Sequence, residues 1–339
     1  MTETYKAVVH DGPGGPEVLY TKQLPRQTSL KPNQVRVRLA FAGINRAELS
    51  QRAGAYPAPP GASPYLGLEG AGTVAEVGND VQHWHKGQRV MLLADAAAYA
   101  EEIIVDQGRL LAVPDSWSDE EAAGFMETTL TAFLNIFQVG GIHDARTGEI
   151  KPNAQVLCHA GSSGVGTQAI KLCRAKGIPI YVTCGSDEKA KKCEALGATK
   201  GINYNTVEYE EAVSSASKEG VSMVLDNVGG PYLSRDISCL GLDGRIVFIG
   251  LMGGKDAGNI DLSLLMRKRG HIITSTLRSR TDAFKAQLIK DLQEQFGPQI
   301  QDGTLKPVID KVFSFEQAAD AHRYMESRGH FGKILLRTS

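Results

Sequence analysis

Through the first 120 residues the apolar positions come in short runs, some alternating with polar ones, at 5–10, 34–41, 72–77 and 89–93. Gly-Pro-Gly-Gly-Pro at 12–16, Pro-Ala-Pro-Pro-Gly at 57–61 and Gly78-Asn79 separate them. Short runs punctuated by such turn residues predict strands, and this part reads as an antiparallel, barrel-like β-rich domain. The pattern changes near Ser118. Asp119-Glu120-Glu121-Ala122-Ala123 predicts a helix with Ser118 as N-cap and acids in its positive first turn. From 154 onward strands and helices alternate. Strands are expected at 155–159, 179–183, 222–226 and 245–250, and helices at 165–176, ended by Gly177, and 187–196, ended by Gly197. Alternation with short glycine-marked turns implies a parallel, doubly wound sheet. The tail adds helices at 283–296 and 315–327 and a last strand at 333–337, which is expected to return to the first domain.

A chain of 339 residues corresponds to about two domains at roughly 150 residues each. Apolar residues make up 42% and charged residues 22%, the balance of a folded rather than a disordered chain. The net charge of −1 supplies no bulk field for nucleic acid or an anionic membrane. No apolar run reaches the roughly 18 residues that span a bilayer, and the polar start lacks the order of a signal peptide. The five cysteines, at 158, 173, 184, 193 and 239, match no zinc spacing and read as reduced thiols in the cytoplasm.

The strongest chemical signal is Gly161-Ser162-Ser163-Gly164-Val165-Gly166, which follows the strand at 155–159 and opens a helix. Backbone N–H groups and the positive helix end at such a turn suit a pyrophosphate. Gly161 permits the tight turn and Gly166 the close packing of helix on strand, while Ser163 stands where the middle glycine of G-x-G-x-x-G would be. A site for NAD would carry an acid at the tip of the second strand, roughly 20 residues on. That tip here is Cys184-Gly185-Ser186, with Asp187, Glu188 and Lys189 next. A hydroxyl and a cation suit a 2′-phosphate, so Ser186 and Lys189 favour NADP(H).

Asn45-Arg46-Ala47-Glu48, Gly54-Ala55-Tyr56, the 66–72 segment Leu-Gly-Leu-Glu-Gly-Ala-Gly, the 160–166 turn and Asp226-Asn227-Val228-Gly229-Gly230 together resemble the zinc-free, zeta-crystallin-like quinone oxidoreductases of the medium-chain dehydrogenase/reductase superfamily. The 250–254 and 277–279 segments and the Ser163 variation are most similar to the p53-inducible quinone oxidoreductase branch. The resemblance covers nearly the whole chain. It implies a discontinuous GroES-like catalytic domain over 1–129 and 276–339, a Rossmann domain inserted over 130–275, and NADPH in the cleft between them. It implies Gly185, Ser186, Lys189 and Tyr204 at the 2′-phosphate. Asn227, Leu251, Met252, Ser275 and Leu277 would line the nicotinamide, with Thr131 touching it.

In the zinc alcohol dehydrogenases of the superfamily a Cys, a His with a Glu beside it, and a second Cys or acid hold the catalytic metal. The corresponding positions here are Asn45, Leu68 beside Glu69, and a site near Thr129, which leaves no thiolate or imidazole for zinc. Without a Lewis acid the acceptor must take hydride unaided, as a quinone does. The protein then supplies stacking, exclusion of water and a hydrogen bond to the developing oxyanion, with Asn45 and Tyr56 as the candidate donors. The expected activity is NADPH-dependent quinone reduction. The alternatives are 2-alkenal or enone reduction, and an NADPH-binding structural or RNA-binding role, against which the charge balance weighs. By resemblance the chain forms a homodimer or tetramer.

Overall fold

The computed structural model describes residues 3–144 and 146–338. The chain divides into two compact units, residues 1–130 with 278–339, and residues 131–277.

The first unit opens with β1 (Thr4–Val9), β2 (Tyr20–Pro25), β3 (Gln34–Ile44), α1 (Arg46–Arg52), β4 (Glu69–Val77), β5 (Arg89–Leu93), β6 (Glu102–Asp106) and β7 (Leu110–Ala112). Helix α2 (Asp119–Ala123) follows, and α3 (Met126–Phe133) carries the chain out of this unit after Leu130 and runs on into a π-helical turn, Leu134–Val139. Ser118 caps α2 as expected, accepting from the Glu121 N–H while Glu121 accepts in return from the Ser118 N–H, a capping box. The alternation in β3 sends Val35, Val37 and Leu39 inward against Val74, Val90 and Leu92.

The second unit holds β8 (Val156–Cys158), α4 (Gly164–Ala175), β9 (Ile180–Cys184), α5 (Asp187–Leu196), β10 (Lys200–Asn203), α6 (Tyr209–Ala216), β11 (Val221–Asp226), α7 (Leu233–Cys239), β12 (Leu240–Phe248), α8 (Leu262–Arg267) and β13 (His271–Thr274). Its strands run parallel in the order β10-β9-β8-β11-β12-β13, which is the Rossmann order with its switch point between β8 and β11. Ligands of such sheets bind beyond the strand ends at that point. The 160–166 turn follows β8, and Asn227 follows β11.

The chain returns to the first unit with α9 (Asp282–Gln301), β14 (Ile309–Ser314), α10 (Ala318–Glu326) and β15 (Lys333–Arg337). On α9, Leu288, Ile289, Leu292, Phe296 and Ile300 form a buried stripe at helical spacing, each contributing about 1.5–3 kcal/mol. The last strand does rejoin the first sheet, whose order is β14-β15-β3-β4-β5-β7 with β6 also on β3. The domain is not wholly antiparallel: β14 pairs with β15 in parallel. A parallel pair needs a helical crossover, and α10 supplies it.

Candidate functional site

In the second unit the phosphate turn is shaped by what cannot fit there. A Cβ on Gly161 would lie 2.4 Å from Val182 Cβ, and one on Gly166 would lie 2.4 Å from the Ala160 carbonyl oxygen. Ala160 itself takes a left-handed φ of 53°, which turns the chain sharply out of β8. Ser163 caps α4, its hydroxyl accepting from the Gly166 N–H at 3.1 Å. That uses one first-turn donor, and Gly164 and Val165 at the next two positions have no intrahelical partner for theirs. Their N–H groups, with Ser162 beside them, make a cradle that fits a pyrophosphate.

At the tips of β9 and β10, Gly185, Ser186, Lys189 and Tyr204 come together. The Tyr204 hydroxyl lies 3.0 Å from where a Gly185 Cβ would stand, and the Tyr204 N–H bonds the Cys184 carbonyl at 3.1 Å. Ser186 caps α5 by accepting from the Lys189 N–H at 3.2 Å, which leaves its own O–H to donate. Each of the two acids after the tip has a partner within the fold. Asp187 accepts from Asn203 Nδ2 at 2.8 Å, and Glu188 pairs with Lys192 at 2.7 Å.

The residues expected at the nicotinamide gather beyond β11, β12 and β13. Met252 N–H bonds the Asn227 carbonyl at 3.1 Å, and Ser275 N–H bonds Phe248 at 3.0 Å. Asn227 Oδ1 and Ser275 Oγ are buried polar atoms without a partner, and a carboxamide would satisfy them. Leu277 is buried while Leu251 and Met252 are exposed. Thr131 is half-buried on α3, its carbonyl accepting from Asn135 Nδ2 at 2.8 Å.

In the first unit Asn45 is held among charged side chains. Asn45 Nδ2 donates to Glu69 Oε1 at 3.0 Å and to Glu48 Oε1 at 3.3 Å, so its two amide hydrogens are already used inside the fold. Its Oδ1 accepts from Lys333 Nζ at 2.7 Å. As a free oxyanion donor it would have to break one of these bonds. Lys333, 2% exposed, also donates to Glu69 Oε1 at 2.6 Å and to the Ile44 carbonyl at 2.8 Å. Glu48 further accepts from the N–H groups of Asn45 at 2.9 Å and Leu68 at 3.2 Å. Glu69 also accepts from the Glu127 N–H at 2.9 Å.

Zinc does not fit this donor set. An ammonium already sits between Asn45 and Glu69, a second cation beside it would be repelled, and Asn45, Leu68 and Thr129 offer neither thiolate nor imidazole. Among the described residues no group of three His, Cys, Asp or Glu is arranged to hold a metal ion.

Tyr56 remains available as a donor. It is half-buried, and its hydroxyl has no hydrogen-bond partner among the described residues. Burial and the nearby Glu127 hold its pKa above the usual value, against the pull of Arg278, so the phenol keeps its proton. The Arg278 guanidinium lies 5.3 Å from the Tyr56 ring centre. It is fixed by bonds to the Asp95 carbonyl and Gln51 Oε1, both 2.7 Å.

Lys333, Glu48, Glu127 and Arg278 carry this arrangement, and sequence reasoning gave none of them a role. Lys333 is the first residue of a short strand, where nothing in the local pattern marks a buried charge.

Burial pushes Glu48 up to about 7, against the pull of Lys333. Burial and the neighbouring Glu69 and Glu48 push Glu127 up to about 8. A carboxyl raised on folding binds its proton more tightly in the native state, so its contribution is lost as pH rises through the folded value. Burial pulls His322 down to about 3. Its opposing effect, stability gained as pH rises, is complete by about pH 6.5, the unperturbed value. Stability of the first unit should therefore fall between pH 6.5 and 8, by about 1.4 kcal/mol per pH unit for each carboxyl protonated only when folded. Thermal unfolding at both pH values checks this, and Glu127→Gln should shrink the fall. A midpoint that holds or rises would contradict it.

The family described as alcohol dehydrogenase GroES-like domain matches residues 31–115, and that described as zinc-binding dehydrogenase matches residues 196–336. Rat (Rattus norvegicus) quinone oxidoreductase is 30% identical over 327 residues, covering 95% of this chain and 94% of that protein. The human (Homo sapiens) synaptic vesicle membrane protein VAT-1 homolog is 30% identical over 322 residues, covering 90% and 79%. The structure of Escherichia coli quinone oxidoreductase complexed with NADPH superposes with a TM-score of 0.82 at 27% identity, over 98% of this chain and 99% of that one. Among the described residues no helix is long and apolar enough to cross a membrane. Two domain matches in this order, a Rossmann sheet and full-length relatives at this identity make the chain a member of the medium-chain dehydrogenase/reductase superfamily, with quinone oxidoreductases among its homologues.

Proposed function

We propose that this chain reduces quinones with NADPH and without a metal. The observation that carries the reading is the buried Lys333 ammonium bonded to Asn45 and Glu69, where a metal-dependent relative needs its Lewis acid. An acceptor served here must already be electron-poor, because nothing at this position can polarise a simple alcohol or ketone as zinc does. NADPH, when bound, supplies the hydride.

The protein's share is binding and orientation. The N–H groups of Gly164 and Val165, with Gly161, Ser162, Ser163 and Gly166 shaping the turn, hold the pyrophosphate. Gly185, Ser186, Lys189 and Tyr204 hold the 2′-phosphate. Asn227 and Ser275 take the carboxamide, with Thr131, Leu251, Met252 and Leu277 as the apolar and hydroxyl-bearing surround. Tyr56 donates a hydrogen bond to the oxygen that gains charge, its ring steadied by Arg278. Asn45 acts as a positioning residue that ties α1 to Glu69 and Lys333.

Two substitutions test these roles. Lys189→Ala should weaken NADPH about 10- to 100-fold, the scale of one charge-assisted hydrogen bond, and change NADH binding little. Titration with each dinucleotide decides it, and equal losses would reject the 2′-phosphate assignment. Tyr56→Phe should lower quinone turnover about 10²-fold, as loss of one oxyanion donor does elsewhere, with NADPH affinity kept. Unchanged turnover would reduce Tyr56 to a wall of the site. Assaying ortho-quinones beside 2-alkenals, with NADPH loss followed optically, separates the quinone from the enone reading.

A further inference from the structure

All five cysteines are free and buried, but two of them face each other. Cys184 Sγ, at the end of β9, lies 3.6 Å from Cys193 Sγ on α5. The pair sits directly beneath the elements assigned above to the 2′-phosphate. Cys184 precedes Gly185 and Ser186, and Cys193 lies one helical turn after Lys189 on the same face of α5. We propose that Cys184 and Cys193 form a dithiol–disulfide site, oxidised by peroxide, whose closure weakens binding of the dinucleotide's 2′-phosphate. The inference rests on the 2′-phosphate reading of Gly185, Ser186, Lys189 and Tyr204.

Geometry and chemistry both support it. Two sulfurs at 3.6 Å need an approach of about 1.5 Å to reach the disulfide length of about 2.05 Å. Of the ten residues of the helix that must move, only Ala190 and Cys193 are buried. Local opening of this largely solvent-facing helix admits a small oxidant to thiols that are otherwise covered. The thiols are also polarised for the reaction. The hydrogen bond from Cys193, the Lys189 ammonium and the Ser162 N–H hold Cys184 below the usual thiol range, which favours the thiolate that attacks. Cys193 is shifted up, as its partner in that bond. Burial pushes Cys158 and Cys239 up to about 12 and raises Cys173 as well, which makes those three poor nucleophiles.

The step balances. The Cys184 thiolate attacks one oxygen of hydrogen peroxide, the O–O bond breaks, and the departing hydroxide takes up a proton as water, leaving a sulfenic acid. The Cys193 sulfur then attacks Cys184 Sγ, the S–O bond breaks, and a second water leaves with the Cys193 proton. Two thiols lose two electrons and two protons, and one peroxide becomes two waters. The new bond draws α5 toward β9, and Ser186 and Lys189 move with it, away from a phosphate held at the strand tips. Linkage is reciprocal. A bound NADPH that engages Lys189 and Ser186 holds α5 closed and shields the pair.

The test is peroxide treatment of the full chain with and without saturating NADPH, peptide mapping under non-reducing conditions, and titration with NADPH and NADH. The expected result is a Cys184–Cys193 crosslink that forms more slowly with NADPH present. The oxidised protein should bind NADPH about tenfold more weakly with NADH little changed, and dithiothreitol should restore it. Cys193→Ser and Cys193→Ala should bind NADPH normally and lose the peroxide effect. A crosslink from Cys184 to Cys158, no crosslink, or a crosslink without change in NADPH affinity would overturn the proposal. The Lys189→Ala titration separates the two readings. If that variant discriminates NADPH from NADH and oxidation does not, the dithiol site alone falls. If it does not discriminate, the 2′-phosphate reading falls and the coupling with it.

Discussion

Lys333→Met should destabilise the first unit by about 3–5 kcal/mol, the usual cost of removing one partner from a buried ion pair. Methionine keeps the length and apolar stem of the side chain, so the change isolates the charge. It leaves Glu69, fully buried, without the ammonium 2.6 Å away, and it strips Asn45 Oδ1 and the Ile44 carbonyl of their donor. Each of these three buried acceptors loses one hydrogen bond, and Glu69 keeps only the neutral donors Asn45 Nδ2 and the Glu127 N–H. For a unit of this size the unfolding midpoint should drop by about 10 °C. Adding Glu69→Gln to Lys333→Met should recover part of the stability. A midpoint within about 2 °C of the parent would mean that the ammonium is not the centre of this cluster.

Gly166→Ala should reduce affinity for both dinucleotides by about 10²-fold, the penalty of an ångström-scale misplacement at a binding site. The added methyl would meet the Ala160 carbonyl oxygen at 2.4 Å and Gly161 Cα at 2.6 Å. These are backbone atoms that no rotamer change can move aside, so α4 must shift away from the turn. The N–H groups of Gly164 and Val165 then no longer converge. NADPH and NADH should suffer alike because the pyrophosphate is common to both, which distinguishes this variant from Lys189→Ala. Dye-free fluorescence titration reads both constants. Binding within threefold of the parent would show that the turn does not carry the pyrophosphate.

Much of the second unit was legible because its signals are local. Helix α5 runs from Asp187 to Leu196 as expected, since Ser186 caps one end and Gly197, at a φ of 117°, ends the other. The last strand, Lys333–Arg337, also stands where its apolar run predicted. Strands β10 and β13 escaped notice. They are four-residue edge strands, and β13 is mostly exposed, so neither carries a buried alternation to read. The first unit's site was less legible for a different reason. Asn45 and Lys333 are 288 positions apart, and only the pairing of β15 with β3 brings them together. The bonds of Asn45 to Glu69 and Lys333 therefore leave no trace in the local sequence around it. The thiol pair was hidden in the same way: a strand end and a helix nine residues on look like two unrelated buried cysteines until the helix packs on the sheet.

We propose hydride transfer from NADPH to a quinone with no metal at the position that Lys333 occupies. Its most direct test is quinone-dependent NADPH oxidation measured beside elemental analysis of the same active preparation. Turnover of an ortho-quinone by protein holding far less than one transition metal per chain, unaffected by a chelator, is the predicted result. Activity that rises in proportion to bound zinc, or brisk dehydrogenation of a simple alcohol, would contradict it.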